Sequence, residues 1–225
     1  MRYSFKPIES KEFGDHMFKH LGFYQKNELV FRQNQLAKKI YLVKSGFIKI
    51  FRSNEFGEEY ICDILGEGAL VAEWDMLSRP LSEHRYSAAA LSHNTEVEAI
   101  TVSNLDKIQY NILRLDLLPI VLEELKKSKE REDIHKFGNS KQKIIHMIKY
   151  LSGSVGKKCG DQILVKIPLS HQDLAYLADC SRQTMTSALA AFKKEGLLKY
   201  SRGRFLIHSI LVQSNKYGNE KFINL

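Results

Sequence analysis

Leu169-Ser170-His171-Gln172-Asp173-Leu174-Ala175-Tyr176-Leu177-Ala178-Asp179-Cys180-Ser181-Arg182-Gln183-Thr184-Met185 holds two helix starts within one short stretch. Ser170-His171-Gln172-Asp173 has the form of a capping box with Asp in its last place, and it predicts a helix whose Leu174, Leu177 and Ala178 face inward. Asp179-Cys180 then makes a tight connection. Ser181 caps a second helix, predicted over 182–195, with Met185, Leu189 and Phe192 as its buried face and Gly196 as its stop. With those three pointing in, the helical period turns Arg182, Gln183 and Ser187 outward.

The flanks extend this pair into a domain. Upstream, 141–151 carries Ile144, Ile148 and Leu151 on one helical face and is closed by Ser152-Gly153-Ser154-Val155-Gly156. A short strand at 163–167 ends at Pro168. Downstream, Leu197-Leu198-Lys199-Tyr200 and Phe205-Leu206-Ile207-His208 read as a hairpin, with Arg202 and Arg204 around Gly203 at its tip. From Ser209 on, the tail either packs as a helix or frays. From Gly138 to the end there are 14 Lys and Arg against 5 Asp and Glu, so this part carries +9 and the rest of the chain −1 of the net charge of +8. Helix, tight turn, capped helix and basic hairpin in a cationic domain point to double-stranded DNA. The second helix has to offer polar first-turn residues to base edges while its far side docks on its neighbour. Its N-terminus, with Ser181, also favours a phosphate.

Ahead of this domain the pattern is different. Short β-rich runs are predicted at 28–32, 40–44, 47–52, 59–65, 86–91 and 97–102, with Ser45-Gly46 and Ser53-Asn54-Glu55-Phe56-Gly57 as turns, which suits a barrel or sandwich. After Ser103 the character becomes helical, with Leu115, Leu118, Leu122 and Leu125 at spacings of three and four. The stripe fades over 126–133, which is either solvated or part of a wet interface, until Ile134 and Phe137. Gly138-Asn139 then breaks the chain as a hinge would. Three regions follow: a β-rich domain over 1–114, a helical stretch over 115–137 and a DNA-binding domain over 138–225.

The 225 residues suffice for two domains, and 44% apolar content is enough for a core in each. No apolar run approaches the roughly 18 to 20 residues of a bilayer span, and the first residues lack a signal-peptide stretch, so the chain is expected in the cytoplasm with no membrane partner. Cys62, Cys159 and Cys180 are too scattered for a disulfide framework and are read as reduced, and as buried or incidental. His16, His20 and His93 lack metal-ligand spacing, and no metal is assigned. There is no Gly-rich phosphate loop, Gly-x-Ser-x-Gly or His-Glu-x-x-His, so no catalytic residue is assigned and the chain is read as a non-enzyme.

The stretch 169–185, with its Cys-Ser-Arg-x-Thr core at Cys180-Ser181-Arg182-Gln183-Thr184, resembles the helix-turn-helix of the Crp-Fnr family of bacterial transcription regulators. Tyr41-Leu42-Val43-Lys44-Ser45-Gly46, Gly57-Glu58-Glu59, and Gly66-Glu67-Gly68 followed by Ala72-Glu73 resemble the family's sensor half, so the likeness runs over about 25–208. It implies an α+β fold: an N-terminal cyclic-nucleotide-binding-like β-roll (jelly roll), a long dimerisation helix and a C-terminal winged helix-turn-helix. It implies that Arg182 reads a guanine and that Ser170, His171, Gln172, Ser181 and Thr184 hold phosphates. Arg202 and Arg204 would straddle the neighbouring backbone. Gln183 and Ser187 depart from the family's usual acid and second base-reading arginine, so the DNA site should differ from that of the type member. Asp179 replaces the usual turn glycine, which an aspartate tolerates in a left-handed conformation.

In the sensor half, the resemblance sets Glu73 and Arg85 where cyclic-nucleotide-binding members hold the ribose hydroxyl and the phosphate, and Ser128 on the dimer helix near the base. Ala72 stands for a glycine there, and Tyr86 for a serine. An effector, a cyclic nucleotide or another small anion, is one reading; a structural Glu73–Arg85 salt bridge is the other. His84 is read as a surface histidine rather than a haem ligand. The resulting expectation is a homodimeric regulator on a palindromic operator, with RNA polymerase as a further partner. The competing reading is an effector-binding regulatory module without DNA reading. The residues leave open whether transcription rises or falls.

Overall fold

In a computed structural model of the chain, the described residues are 18–57, 59–72, 82–104, 138–201 and 203–213, with single positions Asn111, Leu115, Leu118, Pro119, Leu122, Lys129, Glu132 and Lys136. The chain divides between Lys129 and Glu130 into two units. That division falls inside the stretch assigned to the dimerisation helix, and every described position from Asn111 to Lys136 is helical.

The first unit is built of strands: β1 (Lys19–Tyr24), β2 (Leu29–Phe31), β3 (Lys39–Ser45), β4 (Ile48–Ser53), β5 (Glu59–Leu65), β6 (Leu70–Val71), β7 (Ser87–Ala90) and β8 (Thr95–Thr101). They pair antiparallel into two four-stranded sheets, β1-β8-β3-β6 and β2-β7-β4-β5. Tyr41, Val43, Val97 and Ala99 of one sheet meet Phe31, Ile48 and Ala88 of the other in a single buried cluster. Burial pushes the Tyr41 hydroxyl up to about 12, so it stays protonated inside this core. The two layers form the expected β-roll. β3 is buried along most of its length, because a central strand covered on both faces has no solvent side to keep polar.

The β3–β4 turn depends on a glycine. Gly46 sits at φ 82°, and a Cβ there would lie 2.7 Å from Thr95 Oγ1, 2.9 Å from Ser92 Oγ and 2.9 Å from Thr95 Cα. Both the backbone conformation and the space exclude a side chain. Ser92 Oγ also accepts a hydrogen bond from the Phe47 amide at 3.1 Å, tying the turn to the β7–β8 connection.

One expectation about this unit is corrected. His84 is buried, 3% exposed, with its ring stacked on Phe31 at 4.0 Å between centroids. Its backbone is held by the Gln35 carbonyl and the Asn34 amide, each at 2.8 Å, and this pairing, invisible to local pattern, turns the ring inward. Cys62 and Cys159 are exposed and Cys180 is half-buried, all three as free thiols. Cys62 and Cys159 lie on strands whose outward positions they occupy, so they are incidental rather than buried.

The second unit contains α1 (Ser140–Ser154), β9 (Gly156–Cys159), β10 (Gln162–Val165), α2 (His171–Leu177), α3 (Arg182–Lys194), β11 (Leu198–Ser201), β12 (Arg204–His208) and a short α4 (Ser209–Gln213). Its sheet has the order β11-β12-β10-β9. Asn139 is more than a break: it caps α1 in a reciprocal box with Gln142, a feature worth about 1 kcal/mol. Ile144, Ile148 and Leu151 of α1, Leu174 of α2 and Ala178 at its C-cap, and Met185, Leu189 and Phe192 of α3 are buried, whereas Leu177 is only partly so. Each large apolar side chain so buried stabilises the unit by about 1.5–3 kcal/mol. The start of the tail packs as a helix, with Leu211 fully buried.

Candidate nucleic-acid interface

The capping box at the start of α2 forms as the sequence predicts. Ser170 Oγ accepts from the Asp173 amide at 3.2 Å, while the Ser170 amide and hydroxyl both donate to Asp173 Oδ2, at 2.8 and 2.7 Å. Ser170 therefore has its own protons committed to Asp173, and a phosphate would have to displace that carboxylate to gain them.

The connection to α3 is a left-handed turn. Asp179 sits at φ 47°, a conformation that a short polar side chain bears at less cost than most. Its carboxylate accepts from Lys143 Nζ of α1 at 2.7 Å. The Cys180 amide donates to the Ala175 carbonyl at 3.0 Å. Burial, reinforced by the Asp179 carboxylate, pushes the Cys180 thiol up, which keeps it protonated at neutral pH.

α3 has two distinct faces. Met185, Leu189 and Phe192 are buried; Arg182, Gln183, Thr186, Ser187, Ala190, Lys193 and Lys194 are exposed. At its start, Ser181 Oγ accepts from the Thr184 amide at 3.0 Å and lies 2.8 Å from Thr184 Oγ1. One hydroxyl proton joins those two oxygens, and the other remains for an external acceptor. The helix N-terminus adds its own partial positive charge. Among the described residues, no side chain pairs with the Arg182 guanidinium, and the outward turn of the helix presents it to solvent.

Three residues beyond the sequence reading join this face. His171 Nδ1 lies 3.1 Å from Thr186 Oγ1 of α3, and the His171 ring meets Tyr200 of β11 in a T-shaped contact at 5.5 Å. Lys193 Nζ stands 5.5 Å over the Tyr200 ring. Thr186 follows Arg182 by one helical turn, so the period alone was signal enough for it; Tyr200 and Lys193 depend on how the wing folds back. On that wing Arg204 is exposed and Gly203 is at φ 73°. Gln172 is half-buried on α2. Arg202 lies outside the described residues. A cationic helix start, hydroxyls and a basic hairpin can together hold phosphates and present hydrogen-bond donors to base edges.

Of the sensor residues, Glu73 and Ser128 lie outside the described residues. Arg85 is exposed at the approach to β7, and Tyr86 is 38% exposed with Arg52 5.9 Å over its ring. A cleft of about 730 Å³ opens on the outer face of sheet β2-β7-β4-β5, where Lys49, Phe51, Ser87 and Ala89 alternate with residues of the inner cluster; neither Arg85 nor Tyr86 lines it. Among the described residues no group of His, Cys, Asp and Glu could hold a metal ion, and no helix is long and apolar enough to cross a membrane.

Residues 21–109 match the model of the cyclic nucleotide-binding domain, and residues 142–210 match that of the Crp-like helix-turn-helix domain. The chain is 26% identical over 188 residues to the anaerobic regulatory protein of Bacillus subtilis (strain 168), covering 82% of this chain and 78% of that one. It is also 26% identical over 188 residues to the cyclic AMP receptor protein of Thermus thermophilus, covering 80% of each. Among solved structures, FixK2 from Bradyrhizobium japonicum superposes with a TM-score of 0.69 at 17% identity, over 85% of this chain and 92% of that one. A CooA mutant from Carboxydothermus hydrogenoformans gives 0.68 at 19%, over 90% and 88%. These two share the fold.

Proposed function

The chain belongs to the Crp-Fnr family as a DNA-binding transcription regulator with an effector-binding domain, and from that premise we propose which residues read its operator. The regulators of this family bind DNA and act as dimers. Arg182 makes the bidentate contact to a guanine, with Gln183 and Ser187 on adjoining bases. His171, Gln172, Ser181, Thr184, Arg202 and Arg204 hold phosphates, and Ser170 contributes chiefly as the cap that fixes α2. The observation carrying this assignment is a guanidinium with no side-chain partner among the described residues, on the first turn of a helix whose opposite face is buried.

Two copies, each placing α3 in a major groove, read a palindrome whose half-sites lie about one helical turn apart. The chain works in the cytoplasm, with RNA polymerase as its further partner and with no catalytic role; its relatives are regulators. In the sensor unit, Arg85 supports a small anionic effector, a cyclic nucleotide among the candidates, with Glu73, Tyr86 and Ser128 completing its site. Selection from a pool of random duplexes tests the DNA assignment. An inverted repeat is expected; recovery of unrelated sequences, or of none, would overturn it.

A further inference from the structure

We propose that His171 holds a DNA phosphate only as an imidazolium, so that each subunit takes up a proton when it binds its operator. The inference rests on the assignment of the His171 side of α2 to the duplex, made under the proposed function, and follows from counting hydrogens. Thr186 has one hydroxyl proton. Its Oγ1 lies 2.8 Å from the Arg182 carbonyl oxygen, which can only accept, so the proton lies between those two oxygens. The same Oγ1 lies 3.1 Å from His171 Nδ1. With its proton committed, the hydroxyl accepts there, and Nδ1 carries the hydrogen.

In a neutral imidazole the second nitrogen is then a bare acceptor. Nε2 is the nitrogen left for DNA, and its lone pair repels a phosphate oxygen. A second proton reverses the sign, turning Nε2 into a charge-assisted donor. The elements around the ring are α3, β11 and α2 itself. α3 supplies Thr186 and, through the Tyr200 ring, the Lys193 ammonium. β11 supplies Tyr200. α2 itself supplies Asp173, whose carboxylate is held by the Ser170 amide and hydroxyl. A phosphate against Nε2 favours the second proton, so the proton arrives with the duplex. Imidazole is the side chain whose charge changes in the physiological range.

The test is operator affinity by fluorescence anisotropy at fixed ionic strength, from about pH 6 to pH 8.5, with the full chain and its selected duplex. Wild-type affinity is expected to fall about tenfold or more beyond the fall seen for His171→Arg, whose charge does not titrate over that range. Thr186→Val takes away the acceptor at Nδ1 and lets the neutral ring carry its hydrogen on Nε2; its profile is expected to be flatter than wild type. Parallel profiles for wild type and His171→Arg, or a Thr186→Val profile as steep as wild type, overturn the proposal while the DNA assignment stands. Absence of operator binding by every variant at low pH overturns that assignment and the proposal together.

Discussion

A guanidinium with no side-chain partner among the described residues is available to an external one, and Arg182 holds that position at the start of α3. A bidentate contact to guanine is worth about 1–3 kcal/mol of discrimination. Arg182→Ala should therefore lower operator affinity by that amount while leaving random duplex nearly unaffected. Arg204, exposed on the hairpin, is proposed as a phosphate contact, so Arg204→Ala should weaken all sequences alike and lower the slope of log affinity against log salt by about one unit. Titrations on operator and random DNA at several salt concentrations check both. Equal losses on the two duplexes for Arg182→Ala would remove it from base reading. Asp179 works on the same scale: its left-handed backbone and its bond to Lys143 fix where α3 begins.

α3 docks through one face and offers the other for the proposed reading of bases, and the two can be separated by mutation. Leu189 is fully buried, so Leu189→Ala should destabilise the second unit by about 2–5 kcal/mol through lost burial and the cavity left behind. Gln183→Ala, on the exposed face, should stay within about 0.5 kcal/mol. Urea denaturation followed by circular dichroism separates them, and similar losses would mean that the helix packs on a different face. This division was legible in the sequence because a period of 3.6 sorts thirteen residues into two faces almost without context. β5 was legible for the matching reason of strand-rich composition between turns. β9, Gly156–Cys159, was not: Gly-Lys-Lys-Cys carries no apolar pattern, and it is a strand only because the edge of β10 is there to pair with. β1 was missed because a glycine and a register shift interrupt its alternation, and β6 because two residues are too few for a period. At the candidate site the outward residues of α3 could be read locally, whereas the His171–Thr186–Tyr200 contacts bring together three elements and have no local signature.

On the scale of the whole molecule, a row of leucines lies open in the single chain. Leu115, Leu118 and Leu122 occupy helical positions and are 70%, 53% and 55% exposed. Their spacing of three and four puts them on one helical face, and water is a poor neighbour for such a row. A second copy offering the same row would cover it by an isologous contact, which also supplies the two-fold symmetry that a palindromic operator needs. Leu118→Glu would place a charge in the middle of that seam while disturbing little in the isolated subunit, where the position is already half open to solvent. The variant should sediment as a monomer with its circular dichroism unchanged. Because the second half-site would then have to be bound from free solution rather than at the effective concentration set by a linked partner, operator affinity should fall by about a hundredfold or more. Affinity for a single half-site should be unaltered. A Leu118→Glu protein that stays dimeric and binds the full operator as wild type does would place the dimer contact elsewhere on the chain.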